Sequence, residues 1–186
     1  WCKEREIVLV IDESFIDFSN EHPTFLNNAI LAQNDHLVVV KSISKSYGVP
    51  GLRLGVLATS NQSLMMNLRR EMSIWNINSF GEFFLQIIGK YEKVYAQAMD
   101  AFREERSHFV KALENIPYLR VLPSEANYVL CEVTERFTPR ELAVRLLREY
   151  GILIKDCSQK CKGNYIRLAV RDTDDNNQLI EALKEL

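Results

Sequence analysis

The sequence predicts an α/β fold that is followed by a smaller α+β unit. Two short apolar runs rich in Val and Ile, at residues 6–11 and 37–40, each end abruptly in polar residues, as strands do when a parallel sheet buries both of their faces. Between them, residues 23–33 place apolar side chains at helical spacing, which predicts a strand-helix-strand unit of a doubly wound sheet. Beyond Pro117, short strands alternate with capped helices, a pattern typical of a small α+β domain.

A third apolar run, at residues 52–58, follows a Pro50-Gly51 turn. The gap after the second run is too short for a crossover helix, so we expect this strand to run antiparallel to its predecessor. From residue 79 to 113 the apolar period becomes helical, and Pro117 closes the stretch. The remaining predicted elements are strands at 119–122, 127–133, 152–155 and 165–170, and helices at 138–150 and from about Asp174.

The helix predicted at 138–150 carries signals at both ends. Thr138, followed by Pro139 and Glu141, forms a capping box with proline at the first helical position. Gly151 stands where a helix leaves through a left-handed residue. We therefore expect this helix to begin at Thr138 and to end before Gly151.

The composition is that of an ordinary soluble globular protein. The chain has 186 residues, 47% of them hydrophobic and 26% charged, with a formal net charge of -2. This excludes a disordered chain and leaves no surplus of positive charge for a nucleic-acid backbone, so we expect no nucleic-acid partner. The longest apolar stretch, residues 7–11, is far shorter than the roughly 18 to 20 residues that span a bilayer, so we expect no membrane association and a cytoplasmic location.

Cysteine and histidine give no metal or disulfide signal. Four cysteines are too few and too scattered for a disulfide scaffold, so we expect reduced thiols. Cys157 and Cys161 are separated by three residues, but no second pair of Cys or His lies nearby at zinc-ligand spacing. His22, His36 and His108 lie in unrelated contexts. We therefore expect neither a metal site nor a Ser-His-Asp triad.

The start of the chain is unusual for a parallel sheet. Trp1 precedes the first predicted strand by only a few residues, and three strands are few for a doubly wound sheet. A parallel sheet that begins here has an open edge, and the missing strands would most simply come from residues upstream of Trp1. We therefore expect the chain to be a fragment of a longer protein.

The segment at residues 42–55 carries the most specific chemistry. Lys45 lies just beyond the end of a buried strand, where open α/β sheets bind ligands, and Ser42 and Ser44 flank it with hydroxyl groups. Arg53, presented by the turn that follows, can supply a fork of donors to a phosphate. A lysine amine is nucleophilic only when neutral, so a reactive Lys45 requires burial or a neighbouring cation. The alternative is a solvated lysine in a loop and an arginine on a surface turn.

A second candidate site lies at Asp12-Glu13, at the end of the first predicted strand. A carboxylate at the mouth of a parallel sheet can serve a metal cation or a protonated ring nitrogen. The magnesium-binding strand of a nucleotide hydrolase has the same pattern, but this chain has no glycine-rich phosphate loop that ends in Gly-Lys-Ser/Thr. A third possibility is that both residues simply cap the next turn.

The two segments together, residues 12–18 and 42–55, resemble the pyridoxal-phosphate core of class I and II aminotransferases of fold type I. Within that family they are most similar to the histidinol-phosphate aminotransferase group and to threonine-phosphate decarboxylase. The Ser-x-Ser-Lys stretch with its trailing Gly-x-Arg-x-Gly is the strongest motif. The likeness continues in family order through residues 75–79, 124–128, 151–157 and 165–172.

The resemblance implies a division of the chain. Residues 1–90 would be the C-terminal part of the coenzyme-binding large domain, a mostly parallel sheet with helices. Residues 91–114 would be a long linking helix, and residues 115–186 a small C-terminal α+β domain. The glycine-rich turn, the aromatic residue that stacks on the coenzyme ring and the asparagine that faces the ring oxygen would lie upstream. We therefore expect the chain alone to bind coenzyme weakly or not at all and to be inactive.

The resemblance also implies roles for individual residues. Lys45 would hold pyridoxal 5'-phosphate covalently and later move the proton at the substrate α-carbon. Asp12 would pair with the protonated pyridine nitrogen, and Arg167 would bind the substrate α-carboxylate as a bidentate pair, unless Arg167 is an ordinary surface residue. The coenzyme phosphate would be held by Ser42, Ser44 and Arg53. Two further arginines are weaker candidates for a substrate phosphate, Arg69 and Arg171.

Phe15 departs from the pattern of the aminotransferases. Many of them place at this position a tyrosine whose hydroxyl contacts the coenzyme ring oxygen, and phenylalanine is more similar to the decarboxylase branch. The leading hypothesis is an aminotransferase that uses an amino acid or amino-acid phosphate and a keto acid, and that forms a homodimer. A decarboxylase of a phosphorylated amino acid is the close alternative, and a non-catalytic interaction module is the alternative from another class.

Overall fold

The computed structural model describes residues 1–21 and 24–186. The chain divides into two compact units, Trp1–Gln97 and Ala98–Leu186, and each contains its own sheet. His22 and Pro23, the second of which is the predicted start of a helix, lie outside the described residues. The division at residues 90 and 114 that the resemblance implies stays a prediction.

The first unit contains a three-stranded sheet in the order β1-β2-β3. Its strands are β1 (Leu9–Asp12), β2 (Leu37–Ser42) and β3 (Gly55–Ala58). Strands β1 and β2 are parallel, with Leu9 opposite Leu37, and β3 runs antiparallel to β2. The predicted directions of all three strands are confirmed.

The burial of the first strand differs from the prediction. The sequence predicts that both faces of β1 are covered, yet Leu9 is 37% and Val10 60% exposed. That expectation is wrong for β1 because, among the described residues, it has a neighbouring strand on one side only. The central strand β2 fits the prediction, and Val39 in its middle is fully buried.

The helices of the first unit are α1 (Asn28–Gln33), α2 (Ile43–Ser46), α3 (Gln62–Glu71), α4 (Ser79–Ile87) and α5 (Glu92–Leu113), the last of which continues beyond this unit. Asparagine side chains cap the starts of α1, α3 and α4. Helix α1 is shorter than predicted because the Asn27 side chain accepts bonds from the N–H groups of Ala29 and Ile30 and so sets its start. The helical stretch predicted at 79–113 is divided by the 3-10 turn Ile88–Tyr91. Helices α2 and α3 were not predicted.

The second unit contains a four-stranded antiparallel sheet in the order β4-β5-β7-β6. Its strands are β4 (Leu119–Val121), β5 (Tyr128–Val133), β6 (Lys155–Asp156) and β7 (Tyr165–Ala169). Its further helices are α6 (Pro139–Tyr150), α7 (Ser158–Cys161) and α8 (Thr173–Glu185). The predicted α+β character of this part is confirmed.

The core of the second unit forms where the sheet meets α6 and α8. Strand β5 alternates buried and half-buried residues, and Val129 and Cys131 are buried. Leu146 of α6 and Leu183 of α8 belong to the same buried cluster.

The predicted capping box at Thr138 is confirmed, as is the left-handed exit of α6 at Gly151, with φ +70°. Among the described residues, no helix is both long and apolar enough to cross a membrane.

Candidate functional site

Helix α2 presents Lys45 to solvent immediately after β2. Its two neighbours, Ser44 and Ser46, are only 3% and 8% exposed, whereas Lys45 is exposed. The Lys45 Nζ atom lies 4.8 Å from the centroid of the Phe15 ring, within the range of a cation–π contact. The structure therefore brings together Lys45 and Phe15, which the sequence places in separate motifs.

Asp12 ends β1, at the same end of the sheet. Its Oδ1 atom accepts a hydrogen bond of 2.9 Å from the Ser14 backbone N–H. Hydrogen bonding from the Ser14 side chain, then from the Ser14 backbone, and the nearby charge of Lys45 hold the pKa of the Asp12 carboxyl below its usual value. Asp12 is therefore an ionised, exposed carboxylate at neutral pH, suited to a cationic partner.

Glu13 does not share this site. Its side chain is buried, and its two carboxylate oxygens accept bonds of 2.5 Å from the Thr24 hydroxyl and the Phe25 N–H. Glu13 therefore anchors the loop after the 3-10 turn instead of joining Asp12 as a second metal ligand. No group of three or more metal-binding side chains occurs within residues 1–21 and 24–186, so the magnesium hypothesis finds no support.

The three residues assigned to the coenzyme phosphate differ in their surroundings. The Ser44 hydroxyl donates to the Leu54 carbonyl at 3.3 Å and accepts from the Leu54 N–H at 3.2 Å, so it already has two partners. The Ser42 N–H donates to the Ser14 hydroxyl at 3.1 Å. Arg53 is exposed and donates to the Pro50 carbonyl at 3.1 Å. The phosphate role of all three stays a prediction, and Ser44 fits it least well.

The backbone at Arg53 is itself unusual. Arg53 has φ +57° and ψ +43°, the left-handed region that a residue with a Cβ rarely adopts. Such a conformation costs on the order of 1–3 kcal/mol and is enriched at ligand-binding turns. The turn therefore gives the Arg53 backbone a conformation that few residues other than glycine adopt.

The sequence does not predict a polar cluster around Asp17, which lies in the 3-10 turn Ile16–Phe18. Asp17 accepts hydrogen bonds from the Lys41 Nζ atom at 2.5 Å and from the Ser46 hydroxyl at 2.6 Å. Burial raises the pKa of Asp17, but the bonds from Lys41 and Ser46 outweigh burial and lower the pKa overall. The sequence contains one indication of this ion pair. Asp17 and Lys41 carry opposite charges, and each stands beside an apolar segment that is buried, where charged side chains usually pair.

Arg167 lies in the second unit, in the middle of β7. Its side chain is exposed, and its guanidinium carbon lies 5.0 Å from the centroid of the Tyr128 ring on the neighbouring strand. Stacking on an aromatic ring leaves the N–H fork of an arginine free to face a carboxylate. Arg171, a weaker candidate, forms an ion pair with Asp175. Arg69 is exposed on α3.

Comparison with known proteins identifies the family of the chain. The model of the family "Aminotransferase class I and II" matches residues 1–183. The chain is 36% identical to CMP-5'-(3-aminopropyl)phosphonate synthase of Streptomyces rubellomurinus, over 97% of the chain and 29% of that protein. It is also 36% identical to threonine-phosphate decarboxylase of Salmonella typhimurium, over 100% of the chain and 50% of that protein.

Solved structures give the same relationship. The histidinol-phosphate aminotransferase of Clostridium acetobutylicum superposes with a TM-score of 0.87 at 27% identity, over 99% of this chain and 55% of that one. The chain thus spans about half the length of this protein and half or less of the two curated relatives. Because the family model matches nearly all of its residues, this chain belongs to the class I and II aminotransferase family.

Proposed function

We propose that this protein is a pyridoxal-phosphate-dependent enzyme that decarboxylates a phosphorylated amino acid. The observation that carries the proposal is the position of the Lys45 amine over the Phe15 ring, at the sheet edge where Asp12 is ionised. The class I and II family depends on pyridoxal phosphate. The names of both 36% identical relatives include a phosphate or phosphonate group, and one of the two is a decarboxylase.

The residues of this chain fit part of the coenzyme. Asp12 offers an ionised carboxylate to a protonated ring nitrogen, and Lys45 offers an exposed amine for covalent attachment. Arg53 and Ser42 would donate to the phosphate, whereas the Ser44 hydroxyl is already bonded to backbone. When bound, the coenzyme supplies an electron-poor ring that accepts negative charge from the substrate α-carbon.

Three side chains of this chain would carry out the other steps of the reaction. Lys45 would deliver a proton to the α-carbon after the carboxylate leaves as carbon dioxide, and Asp12 would keep the ring nitrogen protonated. Arg167 would hold a substrate carboxylate or phosphate with two parallel N–H bonds. The residues that hold the substrate carboxylate would decide between decarboxylation and transamination, because they would fix which bond of the α-carbon is placed to break.

Phe15 favours the decarboxylase assignment. Its ring contacts the Lys45 amine and carries no hydroxyl, so it cannot donate to the coenzyme ring oxygen as the tyrosine of many aminotransferases does. The active-site hydrogen bond that such aminotransferases have is therefore missing at this position. This difference agrees with the resemblance of the Asp12–Phe18 motif to the decarboxylase branch.

Transamination is the second candidate function. The structural likeness to a histidinol-phosphate aminotransferase, at a TM-score of 0.87, favours it. Its partners would be an amino acid or amino-acid phosphate and a keto acid. For either activity we propose a homodimer in the cytoplasm as the working form, as the resemblance to the family implies.

The first experiment tests the coenzyme. The full-length gene product is mixed with pyridoxal phosphate and reduced with borohydride, and the modified peptide is identified by mass spectrometry. We expect the adduct on Lys45, its loss in Lys45→Ala, and its retention in Lys111→Ala, which removes an exposed lysine of α5. A folded wild-type protein without an adduct on Lys45 would contradict the proposal.

The second experiment separates the two reactions. The gene product is incubated with O-phosphothreonine or O-phosphoserine, with and without 2-oxoglutarate, and carbon dioxide and glutamate are measured. Decarboxylation predicts release of carbon dioxide and of an amino-alcohol phosphate without any keto acid. Glutamate that forms only with 2-oxoglutarate, without carbon dioxide, would instead establish transamination.

A further inference from the structure

We propose that Asp17 is a positioning residue that orients Lys45 through Ser46 and helix α2. The inference rests on the proposed function, because it assigns to Lys45 the role of the coenzyme-binding lysine. Asp17 acts on the helix that carries Lys45, through the bond from Ser46.

The Asp17 carboxylate joins three segments of the first unit. It projects from the 3-10 turn that follows β1, and its Oδ1 atom accepts the bond from Lys41 near the end of β2. Its Oδ2 atom accepts the bond of 2.6 Å from Ser46, the last residue of α2. Asp17 and Lys41 have side chains that are each only 17% exposed, so water competes weakly for these bonds.

Helix α2 needs such external bonds. It has four residues, far fewer than the roughly 12 to 15 that an isolated helix requires to be stable in water. Ser44 is fastened by two hydrogen bonds to the Leu54 backbone, and Ser46 is fastened to Asp17. With both neighbours held inward, the residue between them, Lys45, projects outward toward the Phe15 ring.

Aromatic rings pack beside this cluster. The Tyr47 and Tyr95 rings stack with centroids 4.0 Å apart and an interplanar angle of 8°, and Tyr47 meets Phe84 edge-on. Burial raises the pKa of Tyr95, and the nearby charge of Asp17 raises it further. The stacked rings therefore lie next to the end of helix α2, where Ser46 donates to Asp17.

The test compares two variants of the full-length gene product with a control. Ser46→Ala removes the bond and keeps the carboxylate, whereas Asp17→Asn removes the charge and leaves Lys41 without its anionic partner. Asp35→Ala is the matched control, because Asp35 is an exposed acid of the same unit whose contact with Lys3 is 3.8 Å long. Each protein is mixed with pyridoxal phosphate, and the rate of adduct formation on Lys45 is measured by borohydride trapping and peptide mass analysis.

We expect capture on Lys45 to slow by about tenfold in Ser46→Ala, the size of effect that loss of one hydrogen bond to a charged group produces. Ser46→Thr keeps the hydroxyl and should restore the rate. Asp17→Asn also leaves the Lys41 charge uncompensated. A positive charge nearby disfavours the protonated form of the lysine–coenzyme adduct, so the pH midpoint of the absorbance band of this adduct should fall. Asp35→Ala should match wild type in both measurements.

The outcomes separate this inference from the proposed function. If wild type gains no adduct on Lys45, the proposed function fails. If wild type is labelled and folded Ser46→Ala is labelled equally fast, the positioning role of Asp17 is wrong. If Asp17→Asn does not fold, as circular dichroism would show, Ser46→Ala and its threonine rescue decide the question.

Discussion

The Lys45 amine and the Phe15 ring lie 4.8 Å apart, although 30 positions separate them in the sequence. The contact exists because β1 and β2 are parallel neighbours, so the segments that follow their carboxyl ends meet at one edge of the sheet. Phe15 follows β1 and Lys45 follows β2. The pairing of these two strands thus places the Phe15 ring beside Lys45.

Replacement of the Phe15 ring tests this contact. In Phe15→Leu, the charged amine loses a cation–π contact worth about 0.5–1 kcal/mol at an exposed site. Because this contact stabilises the charged amine, which is not the nucleophilic form, we expect covalent capture of pyridoxal phosphate on Lys45 to become about two- to fivefold faster. Borohydride trapping over a time course measures the rate. Phe83→Leu, which alters an exposed ring of α4, should leave it unchanged. Equal rates in wild type and Phe15→Leu would show that the ring does not stabilise the charged amine.

Acid should destabilise the protein through Asp17. The pKa of Asp17 is lower in the folded chain than its usual value of 3.8, so its contribution is complete above that value and is lost as the pH falls through the lower folded value. We expect the free energy of unfolding, measured by urea denaturation from pH 7 down to about pH 3, to fall less steeply in Asp17→Asn than in wild type. Asp35→Asn should follow wild type, and an equally steep fall in Asp17→Asn would contradict the assignment.

Arg167 should be intolerant even of lysine. A bidentate bond to a carboxylate or phosphate requires the planar guanidinium fork, so Arg167→Lys and Arg167→Ala should both lower kcat/KM of the full-length enzyme by about 10- to 100-fold, chiefly through KM. Arg120→Lys, on β4 of the same unit, is the control and should change little. Steady-state kinetics with O-phosphothreonine provides the comparison. Full activity in Arg167→Lys would remove Arg167 from substrate binding.

The strand directions of the first unit and the chemical motif could be predicted because both depend on local sequence. The Val- and Ile-rich runs predict β1 and β2, and the short gap after Lys41 predicts an antiparallel β3. The exposure of Val10 could not be predicted, because an apolar run does not reveal whether another segment covers it. Burial is a property of the neighbours and not of the strand itself.

In the candidate site, too, some features could be predicted from local sequence and others could not. Asp12, Phe15 and Lys45 lie in two motifs that the sequence displays, and parallel pairing brings them to one edge. The Asp17–Ser46 bond spans 29 positions and depends on the short helix α2, whose four residues carry no periodic signal. Short elements and long-range polar contacts therefore escape sequence patterns even where the chemistry is visible.

The two cysteines Cys131 and Cys161 should react very differently. Cys131 is fully buried in β5, and burial raises the pKa of its thiol to about 12, whereas Cys161 is exposed at the end of α7. Because the thiolate is the reactive form, iodoacetamide at neutral pH should modify Cys161 in the native protein and Cys131 only after unfolding. Peptide mass spectrometry of samples taken over time follows both sites. Native modification of Cys131 at the rate of Cys161 would contradict the packing of β5.

Two adjacent leucines of α6 provide the sharpest test of the second unit's core. Leu146 is fully buried, whereas Leu147 is 48% exposed. Leu146→Ala should lower the free energy of unfolding by about 2–5 kcal/mol, because it removes buried methyl groups and leaves a cavity. Leu147→Ala changes the same residue type in the same helix and should cost no more than about 0.5 kcal/mol.

Urea denaturation of both variants, followed by circular dichroism, measures the difference. Both variants replace leucine by alanine in the same helix, so the change in helix propensity is nearly the same in the two. The difference between their free energies of unfolding therefore reports the burial of the two side chains. Equal losses in the two variants would mean that α6 packs its other face against the sheet. In that case the assignment of β5, α6 and α8 to one core would have to be revised.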